Sequence, residues 1–306
     1  MSLIIVFMGT PDFAVPVLEK LSGNFKIAGV ITQPDRPSGR GRKLIPSAVK
    51  NSAESLNLEI LQPGNVNSKS TLKEISNWNP DLIAVAAFGQ ILSPKLLALP
   101  KYGCLNVHAS LLPRWRGASP INAAILHGDL NSGVTIMKMA EGLDDGPILA
   151  QESTPIQPEE TAGSLSERLS SMGADLLVKT IPPYLAGEIL TTEQDHSKST
   201  YARMLKRKDG LLDFHQKAGD LARQVRAFSP WPGTFTSWND QRLIIHQAHA
   251  ISVTSPGAGV FTRYESNPAI GTGDGILVLD YLQLAGKRKV PGKDFLRGTS
   301  IWPQVH

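Results

Sequence analysis

Short, nearly unbroken apolar runs recur through the first half of this chain, and they restrict its fold more than any other feature. Leu3–Met8, Asp81–Ala87 and Gly103–Val107 each have the length of a strand and are too short for a packed helix. A strand that is apolar at almost every position is covered on both faces. Lys26–Thr32 and Val134–Met139 read as further strands. Between these runs lie helix-like segments: Phe13–Leu21 despite its internal Pro16, Ser47–Leu58, Ser119–His127 and the long Ala162–Leu185. Ser119 is suited to the N-cap and Pro120 to the first helical position. Strands alternating with helices predict an α/β domain built on a parallel sheet.

The pattern changes near Gly187. Residues 188–208 are polar and poorly periodic and read as a linker. Beyond them come one helix-like segment, Ala218–Ala227, and the strand-like runs Phe235–Trp238, Arg242–Ala248, Ala258–Tyr264 and Gly275–Ala285. Turn residues such as Asn239-Asp240 and Asp274-Gly275 punctuate them. The expected organisation is therefore a domain over 1–187, a linker over 188–208, and a small β-barrel domain over 209–306.

Composition excludes several classes. With 41% hydrophobic and 19% charged residues the chain is globular, and a net charge of +4 permits a polyanionic partner without requiring one. Cys104 is the only cysteine, which rules out a disulfide framework and a cysteine-based zinc site. His246 and His249, three apart on an expected strand, would face opposite sides, so no metal pair is expected. The apolar N-terminus lacks the basic start and cleavage site of a signal peptide, and no run reaches the roughly 20 residues of a membrane helix. A cytoplasmic location is expected. Gly9-Thr10-Pro11 is not a dinucleotide fingerprint.

The segment Gly103–Pro120, GCLNVHASLLPRWRGASP, carries the candidate chemistry. Asn106 and His108 are two apart on a strand, so both point to one face. Asp144 follows the Val134–Met139 strand. Strand carboxyl ends are where open α/β sheets hold ligands. Asn, His and Asp together offer an oxyanion donor, a proton carrier and a carboxylate. No Ser or Cys sits in a nucleophile-elbow context, which favours direct attack by a substrate atom. From spacing alone, a satisfied structural histidine and a turn-capping asparagine are the more common outcome for such residues, and both readings stay open. Two basic elements stand apart from this set. The loop Pro34–Lys50 contains Arg36, Arg40, Arg42, Lys43 and Lys50 against one acid, Asp35. The C-terminal Lys287, Arg288 and Lys289, with Lys293 and Arg297, are opposed by Asp294. Each is either a solvated face or a contact for nucleic-acid phosphates.

These residues resemble the methionyl-tRNA formyltransferases along nearly the whole chain. GTPDFAVPVL, QPDRPSGRGRKLIPSAVK, AFGQIL, NVHASLLPRWRGASPI, GLDDGPIL, AFSPWPGTF and LQLAGKRKV all fit. The resemblance implies a Rossmann-like catalytic domain followed by an OB-like barrel. It implies formyl transfer from 10-formyltetrahydrofolate to methionyl initiator tRNA; a monomer is expected, and the mechanism the residues suggest needs no metal. The family's catalytic residues fall on Asn106, His108 and Asp144. Its folate segments fall on Phe88, Gly89, Gln90, Ile91 and Leu92, and on Ser110, Leu111, Leu112 and Pro113. Its acceptor-stem loop falls on Arg36–Pro46, with Arg40 at its important arginine, and the expected tRNA contacts are Arg36, Arg40, Arg42 and Lys43 together with the basic Lys287, Arg288 and Lys289. One departure is Asp145, where many members carry Thr. A sugar-nucleotide N-formyltransferase, a hydrolase of the same donor and a non-catalytic RNA-binding protein remain as alternatives.

Overall fold

The computed structural model describes residues 3–38, 43–299 and 302–303. Arg40 and Arg42 of the expected tRNA loop lie outside the described residues, and Lys43 is described by its backbone alone. Contacts divide the chain into two units. The first comprises 1–120, 131–155 and 166–202, and the second 121–130, 156–165 and 203–306. The expected linker is thus divided, with residues 188–202 belonging to the first unit. No helix among the described residues is long and apolar enough to cross a membrane.

The first unit carries strands β1 (Ile4–Gly9), β2 (Lys26–Ile31), β3 (Arg36–Ser38), β4 (Lys43–Ile45), β5 (Ile60–Leu61), β6 (Leu82–Ala86), β7 (Cys104–His108), β8 (Arg116–Gly117), β9 (Asn131–Lys138), β10 (Ile148–Pro155) and β11 (Tyr201–Ala202). Seven of them form one sheet in the order β10-β9-β7-β6-β1-β2-β5. The expected parallel sheet needs one correction. β7, β6, β1, β2 and β5 are parallel, but β9 runs antiparallel to β7 and β10 antiparallel to β9. β10 is half exposed and polar, as an edge strand can be, and so lacks the apolar run that marks its neighbours.

Helices α1 (Val15–Ser22), α2 (Ala48–Ser55), α3 (Lys69–Asn77) and α4 (Pro94–Leu97) alternate with these strands, as does most of α6 (Ala162–Leu185), whereas α5 (Pro120–Leu126) falls almost wholly in the second unit. Pro16 is tolerated because it sits in the first turn of α1, where its missing N–H has no partner to lose. Alternation along β7 sorts its side chains. Leu105 and Val107 join a core with Ile5, Phe7, Leu177 and Ile181, whereas Cys104 joins one with Val6, Met8, Ile83 and Val85. Asn106 and His108 share the Cys104 side. Gly173 of α6 permits close approach to β7, since a Cβ there would stand 2.5 Å from Val107 Cγ1.

The second unit contains α7 (Ala218–Ala227), strands β12 (Thr234–Trp238), β13 (Gln241–Ile251), β14 (Phe261–Tyr264), β15 (Asn267–Gly271), β16 (Ile276–Leu284) and β17 (Val290–Pro291), and α8 (Gly292–Arg297). The strands pair antiparallel in the order β12-β13-β16-β15-β14, with β17 on β16. Its core gathers Leu221, Val225, Leu243, Leu277 and Leu279 with Trp238, Phe295 and Trp302. Trp238 is therefore a packing residue, while Trp231 is half exposed. His246 and His249 bond different residues of β16, Gln283 and Asp280.

Candidate active site

His108 ends β7 and is 5% exposed. Its Nε2 lies 2.9 Å from the Trp115 carbonyl oxygen. A carbonyl only accepts, so Nε2 carries the proton, and Nδ1 is the nitrogen free to gain one. Nδ1 faces Asp144, 3.7 Å from Oδ1. That is an ion-pair distance and too long for a hydrogen bond. The other carboxylate oxygen of Asp144 accepts from the Gly117 N–H at 2.8 Å. Asp144 is thus held by backbone and presents a fixed charge to the imidazole. Asn106, 8% exposed, makes no side-chain hydrogen bond among the described residues. Its amide is left available as a donor.

The route of Asp144 to this place differs from the expected one. Because β9 is antiparallel, Lys138 at its end pairs with Leu105 and Thr135 pairs with His108. The carboxyl end of β9 therefore lies away from that of β7, and the 139–147 loop returns Asp144 to His108.

The segment after β7 is pinned by its own polar groups. Ser110 Oγ donates to the Arg114 carbonyl at 2.6 Å. Thr135 Oγ1 donates to the Ser110 carbonyl and accepts from the Leu112 N–H. The Trp115 N–H reaches Thr200 Oγ1 at 2.9 Å. Among the described residues, eight non-glycine positions have positive φ, and most are Asn or Asp, which tolerate it. The other three are Glu265 (φ 51°), in the turn between β14 and β15, and Ala87 (φ 45°) and Trp115 (φ 60°), which sit at the end of β6 and at the His108 contact. Ala87 and Trp115 thus hold strained backbone next to the candidate site, where such strain tends to cluster.

The expected folate residues divide into two sorts. Val85 of β6 pairs with Asn106, so residues 88–92 leave the sheet at the same end as His108. Phe88, Leu92, Ser110 and Leu112 are buried, and Ile91 is 80% exposed. The Gln90 side chain is spent on backbone, accepting from Val66 N–H and donating to the Pro63 carbonyl. Asp145 Oδ1 is buried without a hydrogen-bond partner among the described residues. Of the basic residues, Arg36 is exposed on β3, and Lys50 is paired with Asp35 at 2.7 Å. Gln62 and then Lys50 hold the Asp35 carboxyl below its ordinary range. Lys287, Arg288 and Lys289 are exposed between β16 and β17, with Lys289 Nζ 4.8 Å from the Tyr281 ring centroid.

Sequence reasoning missed Arg116, Gln194 and Thr200. Arg116 lies within the Gly103–Pro120 segment, but the other two fall in the expected linker. A buried Gln at 4% exposure in a polar stretch leaves no periodic signal.

Comparison with known proteins gives the family of the chain. Residues 1–181 match the formyl transferase family model and residues 204–300 match the formyl transferase C-terminal domain. The methionyl-tRNA formyltransferase of Citrifermentans bemidjiense is 44% identical over 98% of this chain and 94% of its own length. That of Syntrophus aciditrophicus is 45% identical over 97% and 96%. A solved sugar 3N-formyl transferase, crystallised with dTDP and 5-N-formyl-THF, shares the fold with a TM-score of 0.68. It is 21% identical over 94% of this chain and 100% of its own. Both domain models and full-length identity above 40% lead to one assignment: the chain belongs to the formyl transferase family, among the methionyl-tRNA formyltransferases.

Proposed function

We propose that this protein transfers the formyl group of 10-formyltetrahydrofolate to the α-amine of methionyl initiator tRNA in the cytoplasm. The observation that carries this reading is the convergence of Asn106, His108 and Asp144 at one end of β7, with Nδ1 of His108 3.7 Å from the Asp144 carboxylate. The neutral amine attacks the formyl carbon and forms a tetrahedral oxyanion. The free Asn106 amide donates to that oxyanion, a contribution of roughly 3–4 kcal/mol for a well-placed donor. His108 Nδ1 takes the proton released by the amine. The resulting imidazolium is stabilised by Asp144 and also donates to the oxyanion. The proton then goes to N10 of the departing folate, which balances the reaction. Phe88–Leu92 and Ser110–Pro113 form the folate side of the site. Arg36, Arg40, Arg42 and Lys43, with Lys287, Arg288 and Lys289, meet tRNA phosphates.

The test is formyl transfer from 10-formyltetrahydrofolate to methionyl initiator tRNA, free methionine and amino-sugar nucleotides in parallel. Rapid formylation of the charged tRNA alone is expected. Transfer only to the amino sugar would move the chain to the sugar-modifying branch. Formate release without an acceptor would make it a hydrolase.

A further inference from the structure

Behind Asp144 lies a polar chain that the proposed mechanism does not use. The Arg116 guanidinium is buried, at 2% residue exposure, yet its hydrogen-bond partners are neutral. Nε and Nη2 donate to Gln194 Oε1 at 3.0 and 2.8 Å. Nη1 and Nη2 lie 3.2 Å from His196 Nδ1. Arginine only donates, so Oε1 of Gln194 must face it and the amide cannot flip. The Gln194 Nε2 is thereby directed at two carbonyls, those of Asp144 at 2.9 Å and Gly146 at 2.7 Å. The carbonyls only accept, so the chemistry at both ends fixes the same orientation. The surrounding strap is tied to the same segment, because Arg116 N–H donates to the Thr200 carbonyl and β11 pairs with β8.

A buried guanidinium without a carboxylate partner is costly to keep. We propose that Arg116 and Gln194 are positioning residues for formyl transfer: the guanidinium locks the Gln194 amide, which holds the 144–146 backbone and keeps the Asp144 carboxylate beside His108. This inference rests on the active-site reading given above. It assigns residues 192–202 to the catalytic unit as a working part of the site.

Gln194→Glu separates positioning from mere support. The glutamate still accepts from Arg116 and adds opposite charge to that contact, so a purely structural role would be preserved or strengthened. Its second oxygen, however, replaces the donor and faces two carbonyl oxygens, which pushes the Asp144 loop away. Expected is a fall in kcat of about 10- to 100-fold, as for a misplacement near 1 Å, with KM for donor and tRNA within about threefold and the thermal midpoint maintained. Should this variant fail to fold, Gln194→Met removes the donor to the Asp144 and Gly146 carbonyls together with the acceptor for Arg116, so it is read through the comparison with Asp144→Asn, where a structural role gives an added loss and a positioning role gives none. The decisive measurement adds Asp144→Asn. If Gln194 acts through Asp144, Gln194→Glu causes no further loss in the Asp144→Asn background. Independent, multiplicative losses would overturn the route through Asp144. An unchanged kcat in Gln194→Glu, beside a large loss in Asp144→Asn, would overturn this inference and leave the active-site reading standing. An unaffected Asp144→Asn would remove both.

Discussion

Replacing Asp144 by Asn removes one charge and little else. The asparagine oxygen can still accept from the Gly117 N–H that Oδ2 now meets at 2.8 Å, so the loop keeps its anchor. What disappears is the attraction between the carboxylate and the imidazolium that forms when His108 takes the amine proton, across 3.7 Å. Two unit charges about 4 Å apart interact by roughly 4 kcal/mol at an effective dielectric near 20, and by about 1 kcal/mol in bulk water. The side chains are 6% and 15% exposed, so the higher figure applies. That corresponds to about a thousandfold in kcat. The assay is formylation of methionyl-tRNA at saturating 10-formyltetrahydrofolate, with donor affinity measured separately and expected to be unchanged. A loss below about tenfold would place the pair in a water-like environment and refute the charge argument.

Three further outcomes can be checked. Gly117 has φ +103°, and a Cβ there would stand 2.7 Å from the Ala202 carbonyl oxygen. Gly117→Ala should lower stability by about 1–3 kcal/mol and reduce kcat by displacing the Asp144 anchor, read by thermal melting and turnover. Exchanging Lys287, Arg288 and Lys289 together for Ala should weaken tRNA binding and flatten its salt dependence, by up to about 0.9 in log–log slope for each phosphate no longer neutralised, with folate binding intact. An unchanged salt slope would return that segment to a solvated face. Trp302 is 1% exposed, donates Nε1–H to the Thr262 carbonyl and packs on Trp238, Phe261 and Phe295. Trp302→Ala should destabilise the second unit by about 3–5 kcal/mol, seen in denaturant unfolding followed by circular dichroism.

Much of the candidate site was legible because its signals are local. The convergence of Asn106 and His108 follows from strand alternation, which needs only adjacent residues. The ends of α6 were also readable, since a 24-residue amphipathic stretch repeats its pattern many times. Asp144 is marked by its motif, but the strand-end reason for its position fails in part. Nothing in residues 131–138 distinguishes a parallel from an antiparallel neighbour, because a buried central strand looks alike in both. β10 and α3 escaped notice for a related reason. Each exposes much of its surface, so its sequence is polar and lacks a sustained period.

What the sequence determined by itself was the layered α/β plan, the small β unit after it, the placement of Asn106 and His108 on one face, and, from its single cysteine, the exclusion of a disulfide framework. These depend on periodicity and residue type, which act over one or two turns of chain. What only the tertiary structure decided was the direction of β9, the protonated nitrogen of His108, and the bond from Arg116 through Gln194 to the Asp144 loop. Arg116 and Gln194 are 78 residues apart. Contacts at that separation are selected by the packing of the whole unit, where a buried donor must find an acceptor wherever the fold brings one.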